Sequence, residues 1–419
     1  MFTFLHCADI HLDSPLRGLE GYADAPVEQI RQATRRAFDN LVDLAIEEKA
    51  AFLLIAGDLY DGDWKDYNTG LFFIDRMARL RKNNIRVLLA SGNHDAASRI
   101  TRELRLPDNV TLFASRQPES LILADLGVAV HGQSYPVQAV TDNLAAGYPP
   151  YQPGLFNIGL LHTSLTGREG HAPYAPCSLD DLRSRGYDYW ALGHVHRHEV
   201  VATDPWVVFP GNIQGRHIKE SGSKGAVLVT VEQGRVAGVE QRSTEVLRWA
   251  LCRVDLSGCE HLEAVADPVR GALESLQAGT GGLPLAVRLE LCGRTSVHQA
   301  LHGGAAHFTE LFRGITADLD EVWLEKVLFH TSRPGPASLF LEDTAPIAAL
   351  LRAIDDLEPT SETMLELAPE LGELKARLPA ELLHEEGFAL GNAGPDTAAI
   401  REQVRELLLA GLLGQGGEK

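Results

Sequence analysis

Five short runs of acid, imidazole and amide side chains punctuate the first half of the chain, and each closes an apolar stretch. They are Asp9-Ile10-His11, Gly57-Asp58-Leu59-Tyr60-Asp61, Gly92-Asn93-His94-Asp95, the His162 of Leu160-Leu161-His162-Thr163, and Gly193-His194-Val195-His196. The apolar stretches ahead of them (2–7, 51–56, 85–90, 156–162 and 187–192) have the length of strands. Between the first three, residues 27–49 and 69–82 place apolar side chains at helical spacing. That alternation predicts an α/β layered domain, in which functional residues gather where strands end and loops begin. Further apolar runs at 120–131, 206–209 and 225–231 come with fewer helices, so the later strands are expected to include antiparallel ones.

The residue types set the chemistry. Oxygen and nitrogen donors without thiolate suit hard or borderline divalent ions such as Mn²⁺, Fe²⁺ or Zn²⁺. In extended backbone, residues i and i+2 point the same way, so Asp9 with His11, and His194 with His196, can each project toward one centre. Asp58, central and anionic, is the natural bridge between two ions. Two metals about 3.5–4 Å apart can clamp a phosphate and steady both oxygens of an in-line displacement. Any one motif alone also reads as a surface turn or a hydrogen-bonded histidine. Taken together, in order, five of the chain's 16 histidines fall inside them. That concentration favours a metal centre.

Charge limits the partners. Residues 1–244 carry 24 basic and 29 acidic side chains, whereas residues 245–419 carry 14 and 28. Phosphate contacts need local positive charge, so action on a polynucleotide requires a basic patch, a metal centre or a partner. Gln214, Arg216, His217 and Lys219 lie on a glycine-punctuated loop that either meets a DNA phosphate or is simply solvated. Five cysteines without a CxxC pair, and a start lacking the basic and apolar regions of a secretory signal, lead to the expectation of a reduced, cytoplasmic protein. No apolar run is long enough to span a membrane.

From about Glu245 the pattern changes. Strand-like runs at 247–256, 284–291 and 321–330 alternate with helical runs at 261–277 and 296–312, a βαβαβ module at 245–332. Arg333-Pro334-Gly335-Pro336 reads as a linker. Helical stretches at 337–357, 361–386 and 396–413 follow it.

The order DxH, GDxxD, GNHD, H, GHxH resembles the signature of calcineurin-like metallophosphoesterases and covers residues 1–240. Ala8-Asp9-Ile10-His11-Leu12-Asp13-Ser14-Pro15-Leu16, and Phe209 to Ile218 followed by Lys224-Gly225, are similar to SbcD-type DNA-repair nucleases of the YhaO-like branch. The resemblance implies a four-layer αββα sandwich at 1–244, a small capping domain at 245–332 and a helical partner-binding region at 337–413. It implies a dinuclear site, most often holding Mn²⁺. One ion would be held by Asp9, His11, Asp58 and His196, the other by Asp58, Asn93, His162 and His194. His94 would contact the scissile phosphate or protonate the leaving oxygen, without binding metal. Some relatives have histidine where this chain has Asp61, leaving Asp61 either beside the ligands or in a plain turn. The implied activity is phosphodiester hydrolysis of DNA by metal-activated hydroxide, with a coiled-coil ATPase of the SbcC type (YhaN-like) as partner and a homodimer as the plausible assembly. A small-molecule phosphodiesterase and a noncatalytic DNA-end scaffold are the competing readings. The chain beyond His196 is longer than a small-molecule enzyme needs, and the complete ligand set opposes the scaffold.

Overall fold

Strand β1 (Phe2–Cys7) ends in four buried residues, so both of its faces are covered. Such a strand belongs to the interior of a layered sheet. The structure is a computed structural model that describes residues 1–14, 16, 32–61, 67–97, 105–165 and 174–334. In it β1 pairs in parallel with β2 (Phe52–Ala56), which continues in parallel to β3 (Arg86–Ala90) and β4 (Val110–Leu112). On its other side β1 meets β11 (Gly225–Glu232) antiparallel, and β12 (Arg235–Ser243) closes the sheet.

A second six-stranded sheet has the order β5 (Glu119–Leu123), β6 (Val128–Gly132), β7 (Phe156–His162), β8 (Tyr189–Gly193), β10 (Trp206–Phe209), β9 (Glu199–Thr203). Its four inner strands are parallel and its two edges antiparallel. The antiparallel strands lie at one edge of the first sheet's parallel core and at both edges of the second's.

Alternating side chains divide the burial. Phe4, Phe52, Leu54 and Leu88 of the first sheet share one core with Ile158, Leu160, Tyr189 and Val208 of the second. Phe4 stacks on Phe52 at 4.9 Å and meets Tyr189 edge-on at 5.4 Å. Emptying the Phe52 site would cost about 3–5 kcal/mol. The opposite face of the first sheet, with Leu5, Leu53, Ile55 and Val87, packs on Phe38 and Leu41 of helix Ala33–Glu47 and on Phe73 and Met77 of helix Tyr67–Lys82. The outer face of the second, with Trp190, Leu192 and Phe209, packs on Leu182 of helix Leu179–Arg183. This is the mixed α/β sandwich that the sequence implies.

Two stretches differ from expectation for local reasons. Residues 120–131 form a hairpin of β5 and β6 because Gly127, at φ +66°, turns the chain. The helix expected over 296–312 divides into His298–Gly303 and Ala305–Ala317 at the pair Gly303-Gly304, where backbone entropy disfavours a helix interior. A smaller three-stranded sheet, β13 (Arg248–Asp255), β14 (Leu285–Arg294), β15 (Val322–Ser332) in that order, accompanies these helices and helix Ala266–Ala278. The chain divides into two compact units, one of Met1–Arg253, Val269–Glu290 and Phe312–Leu328, the other of Val254–Pro268, Leu291–Leu311 and the residues from Phe329. The expected helices of 337–413, the end of the 333–336 linker and the start of the 27–49 helix lie outside the described residues. Among those described, no helix is long and apolar enough to cross a membrane.

Candidate metal centre

All five motifs leave the carboxyl ends of parallel strands: β1, β2 and β3 in one sheet, β7 and β8 in the other. Open parallel sheets bind ligands at that edge. The first two loops run side by side, with Asp9 N–H donating to Gly57 O (3.0 Å), His11 N–H to Asp58 O (3.0 Å) and Leu12 N–H to Leu59 O (2.9 Å). The Asp95 carboxylate then ties the second loop to the third, accepting from the backbone N–H groups of Leu59, Tyr60 and Gly92. His94 N–H donates to Asp58 Oδ1 at 2.9 Å, and His194 N–H reaches the Asp9 carboxylate at 3.0–3.1 Å. Asp9 (φ 50°), His11 (44°), Asp58 (53°) and His194 (104°) all occupy left-handed backbone. Non-glycine residues avoid that region unless the surroundings impose it, and such strain clusters at functional sites. Gly57 (φ +93°) and Gly193 are needed for space, since a Cβ at either would collide with the His162 ring or with Ala56 O.

The donor atoms fit divalent ions. The His162 ring gives its Nδ1 proton to Ala56 O at 2.9 Å, which leaves Nε2 bare. That nitrogen stands 2.9 Å from Asn93 Oδ1 and 3.5 Å from Asp58 Oδ2. His196 Nδ1 lies 2.7 Å from Glu220 Oε1, and its Nε2 lies 3.3 Å from His11 Nε2 and 3.9 Å from Asp9 Oδ1. Ligands about 2.0–2.2 Å from one ion stand roughly 3 Å from each other, so facing lone pairs at this spacing match a shared cation. Three overlapping triads, Asp9–His11–His196, His11–Asp58–His94 and Asp9–Asp58–His162, each bring their ligand atoms within 4.8 Å. His194 falls outside these triads, its ring 5.2 Å from that of His162.

Burial also keeps the imidazoles in their ligating form. It lowers the His11 pKa to about 3, with the Arg216 charge adding to the effect, and lowers that of His162. Asp9 is pushed well above the usual carboxylate range by burial and then by the charge on Asp58. Burial opposes ionisation of Asp58 too, but the neighbouring His162, His94 and His11 outweigh it and hold the carboxyl low. Two buried carboxylates so placed call for a cation.

His94 sits at the margin, its side chain 36% exposed, with Nδ1 3.0 Å from Asp61 Oδ1. Burial pulls its pKa down, yet the Asp61 hydrogen bond and the Asp58 charge raise it overall. Asp61 is thus more than a turn residue, since it also accepts from Ser14 Oγ at 2.8 Å. Sequence reasoning missed Glu220, whose signal was only an acid four residues beyond Arg216 on the loop that follows the last motif. Arg216 is half-buried against it, with Nη2 2.8 Å from Glu220 Oε1. Gln214 requires a correction as a substrate contact. It is 2% exposed, its amide donates to Gly215 O and Leu247 O, and it accepts from Val246 N–H, so it is committed to backbone. His217 keeps 36% of its side chain exposed, 3.6 Å from Glu220. His198 bonds Phe209 O and stays apart from the triads.

Comparison with known proteins agrees with this geometry. Residues 2–198 match the calcineurin-like phosphoesterase family, and residues 249–332 match the middle domain of the metallophosphoesterase YhaO. The chain is 38% identical over 295 residues to the metallophosphoesterase YhaO of Bacillus subtilis, an alignment spanning 70% of this chain and 72% of that one. It is 23% identical over 227 residues to the DNA double-strand break repair protein Mre11 of Methanopyrus kandleri, covering 49% and 48% of the two chains. The Mre11 protein of Sulfurisphaera tokodaii is also 23% identical, over 240 residues, or 54% and 58%. With the strand-end acid, imidazole and amide side chains in family order and an aligned YhaO relative, the chain belongs to the calcineurin-like metallophosphoesterases and is a metal-dependent phosphoesterase of YhaO type.

Proposed function

We propose that the protein is a phosphodiesterase that cleaves DNA, with Mn²⁺ as its working ion. The carrying observation is the pairing of His94 with Asp61, 3.0 Å apart, beside a two-lobed set of ligands. Asp9, His11, Asp58 and His196 would hold one ion, and Asp58, Asn93, His162 and His194 the other. Such a pair supplies positive charge to the phosphate oxygens and makes water acidic enough to serve as nucleophile. The chain's own side chains do the rest. Asp58 spans both lobes. Asp61 occupies Nδ1 of His94, so the other ring nitrogen is the one that hands a proton to the departing sugar oxygen. Arg216 holds a fixed positive charge next to Asp61, its Nη1 4.0 Å from Oδ2. Exposed Arg197 and Lys219 give the loops after β8 and β10 the local positive charge that a polynucleotide requires in an acidic chain, while half-buried His217, its pKa lowered by burial, offers a hydrogen bond rather than a charge.

DNA is favoured over a small diester by the likeness to two proteins named for double-strand break repair. The decisive assay compares the Mn²⁺-loaded protein on linear duplex DNA, cyclic nucleotides and a chromogenic phosphodiester. DNA cleavage with little action on cyclic nucleotides supports the reading; the reverse preference replaces it with a small-molecule enzyme. We infer further that the protein works in the cytoplasm with a coiled-coil ATPase of the SbcC type, bound through residues 337–413. A chain ending at Arg333 should then cleave the chromogenic diester yet fail to pull down the ATPase. Unimpaired pull-down would move the docking site elsewhere.

A further inference from the structure

We propose that Glu220, which lies outside all five motifs, is the positioning residue that fixes the tautomer and direction of His196. This rests on the two-ion reading above. Glu220 closes the short 3₁₀ turn Ile218–Glu220 and is 5% exposed. Its carboxylate accepts from His196 Nδ1 (2.7 Å), Arg216 Nη2 (2.8 Å), the Arg216 backbone N–H (2.7 Å) and Asn212 Nδ2 (2.9 Å). An ionised carboxylate only accepts, so His196 carries its proton on Nδ1 and turns the Nε2 lone pair toward His11 and Asp9. Arg216 and Asn212 hold the carboxylate still. Lys224 Nζ fixes the same segment by donating to His196 O at 2.7 Å.

The other lobe is built differently. His162 is oriented by a backbone carbonyl, Ala56 O, a neutral partner that no substitution removes. His196 is oriented by a charge on a side chain, which makes that lobe depend on one residue. Partners of this kind are worth about 10–100-fold in metal affinity. Arg216 extends the arrangement, its Nη1 lying 3.4 Å from Ser14 Oγ, the hydroxyl that bonds Asp61.

Two measurements test the inference. In the metal-free protein at alkaline pH, ¹⁵N-histidine NMR should place the single ring proton of His196, assigned from its loss in His196→Gln, on Nδ1. An Nε2–H tautomer overturns the proposal, and this reading needs no variant at position 220. Binding isotherms for Mn²⁺ then compare Glu220→Gln, Glu220→Asp and the unchanged chain. Glu220→Gln keeps the shape but sets an NH₂ group against donors. It should weaken one of two ions about 10–100-fold and spare the other, with part of the loss restored in Glu220→Asp. Glu325→Gln, which breaks a similar carboxylate–arginine pair with Arg288, should leave both ions in place. Unchanged binding in Glu220→Gln, or an equal loss in Glu325→Gln, overturns the positioning role. If the unchanged protein takes up no ion at all, the two-ion reading fails first and the inference falls with it.

Discussion

Among the described residues, histidines meet in two regions, and the contrast shows what separates a candidate metal site from ordinary packing. On helix His298–Gly303, His298 and His302 stand one turn apart with ring centroids 4.3 Å from each other. The Thr331 hydroxyl is 3.1 Å from Nδ1 of the first and 3.3 Å from Nε2 of the second. A hydroxyl can donate to one nitrogen and accept from the other, so the group is satisfied without a charge. At the strand ends, His11 and His196 face each other nitrogen to nitrogen at 3.3 Å, with Asp58 and Asp9 oxygens each 3.9 Å from one of them. His11 Nδ1 is buried, with Asp61 Oδ1 as its neighbour at 3.6 Å. Proximity of imidazoles is common to both regions. Imidazole nitrogens facing one another, paired carboxylates and left-handed backbone belong to the strand-end cluster.

The widest separation between the regions should come from Asp58→Ala. Without the shared carboxylate both ions lose a ligand, so metal content should collapse and turnover disappear; two ions per chain by elemental analysis would end the bridging role. His94→Gln comes next. It should keep both ions while slowing diester cleavage by about 10²–10⁴-fold, the scale of a lost proton donor. Loss of metal would instead make His94 a ligand, as its place in one of the triads allows. Stripping the ions with a chelator should lower thermal stability, by about 2.7 kcal/mol relative to ion at 100 times its dissociation constant. The smallest effect belongs to the other region. Thr331→Val should cost about 1 kcal/mol for the lost hydrogen bonds, with metal content unchanged. If it removed an ion, the contrast between the two clusters would be gone.

The strands that carry the site were the most legible part of the sequence. Phe2–Cys7 and Phe156–His162 have the bounds read from their apolar runs, because strands buried on both faces leave a near-continuous hydrophobic signal, broken here by Thr3, His6 and Asn157. Edge strands β9 and β12 give no clear signal, since Glu199–Thr203 is a short run broken off by charged and turn residues and Arg235–Ser243 mixes charged, glycine and apolar residues, and both are only partly buried. Motif spacing pointed to the residues at the strand ends, but their partners were invisible. Glu220 meets His196 only because the chain after β10 folds back, and Gln214 turned out to bond Leu247 O across 33 positions. A loop side chain's direction depends on such distant contacts, which no local pattern encodes. Asp61, three residues beyond Asp58, is likewise drawn to His94 from another loop.

The central claim, that the strand-end cluster is a two-ion centre, is tested most directly by anomalous diffraction at the manganese edge from crystals of the full chain soaked in Mn²⁺. The account predicts two strong peaks, one in contact with Asp9, His11 and His196, the other with Asn93 and His162, and Asp58 touching both. A single peak, or manganese lodged at His298 and His302 instead, would contradict it.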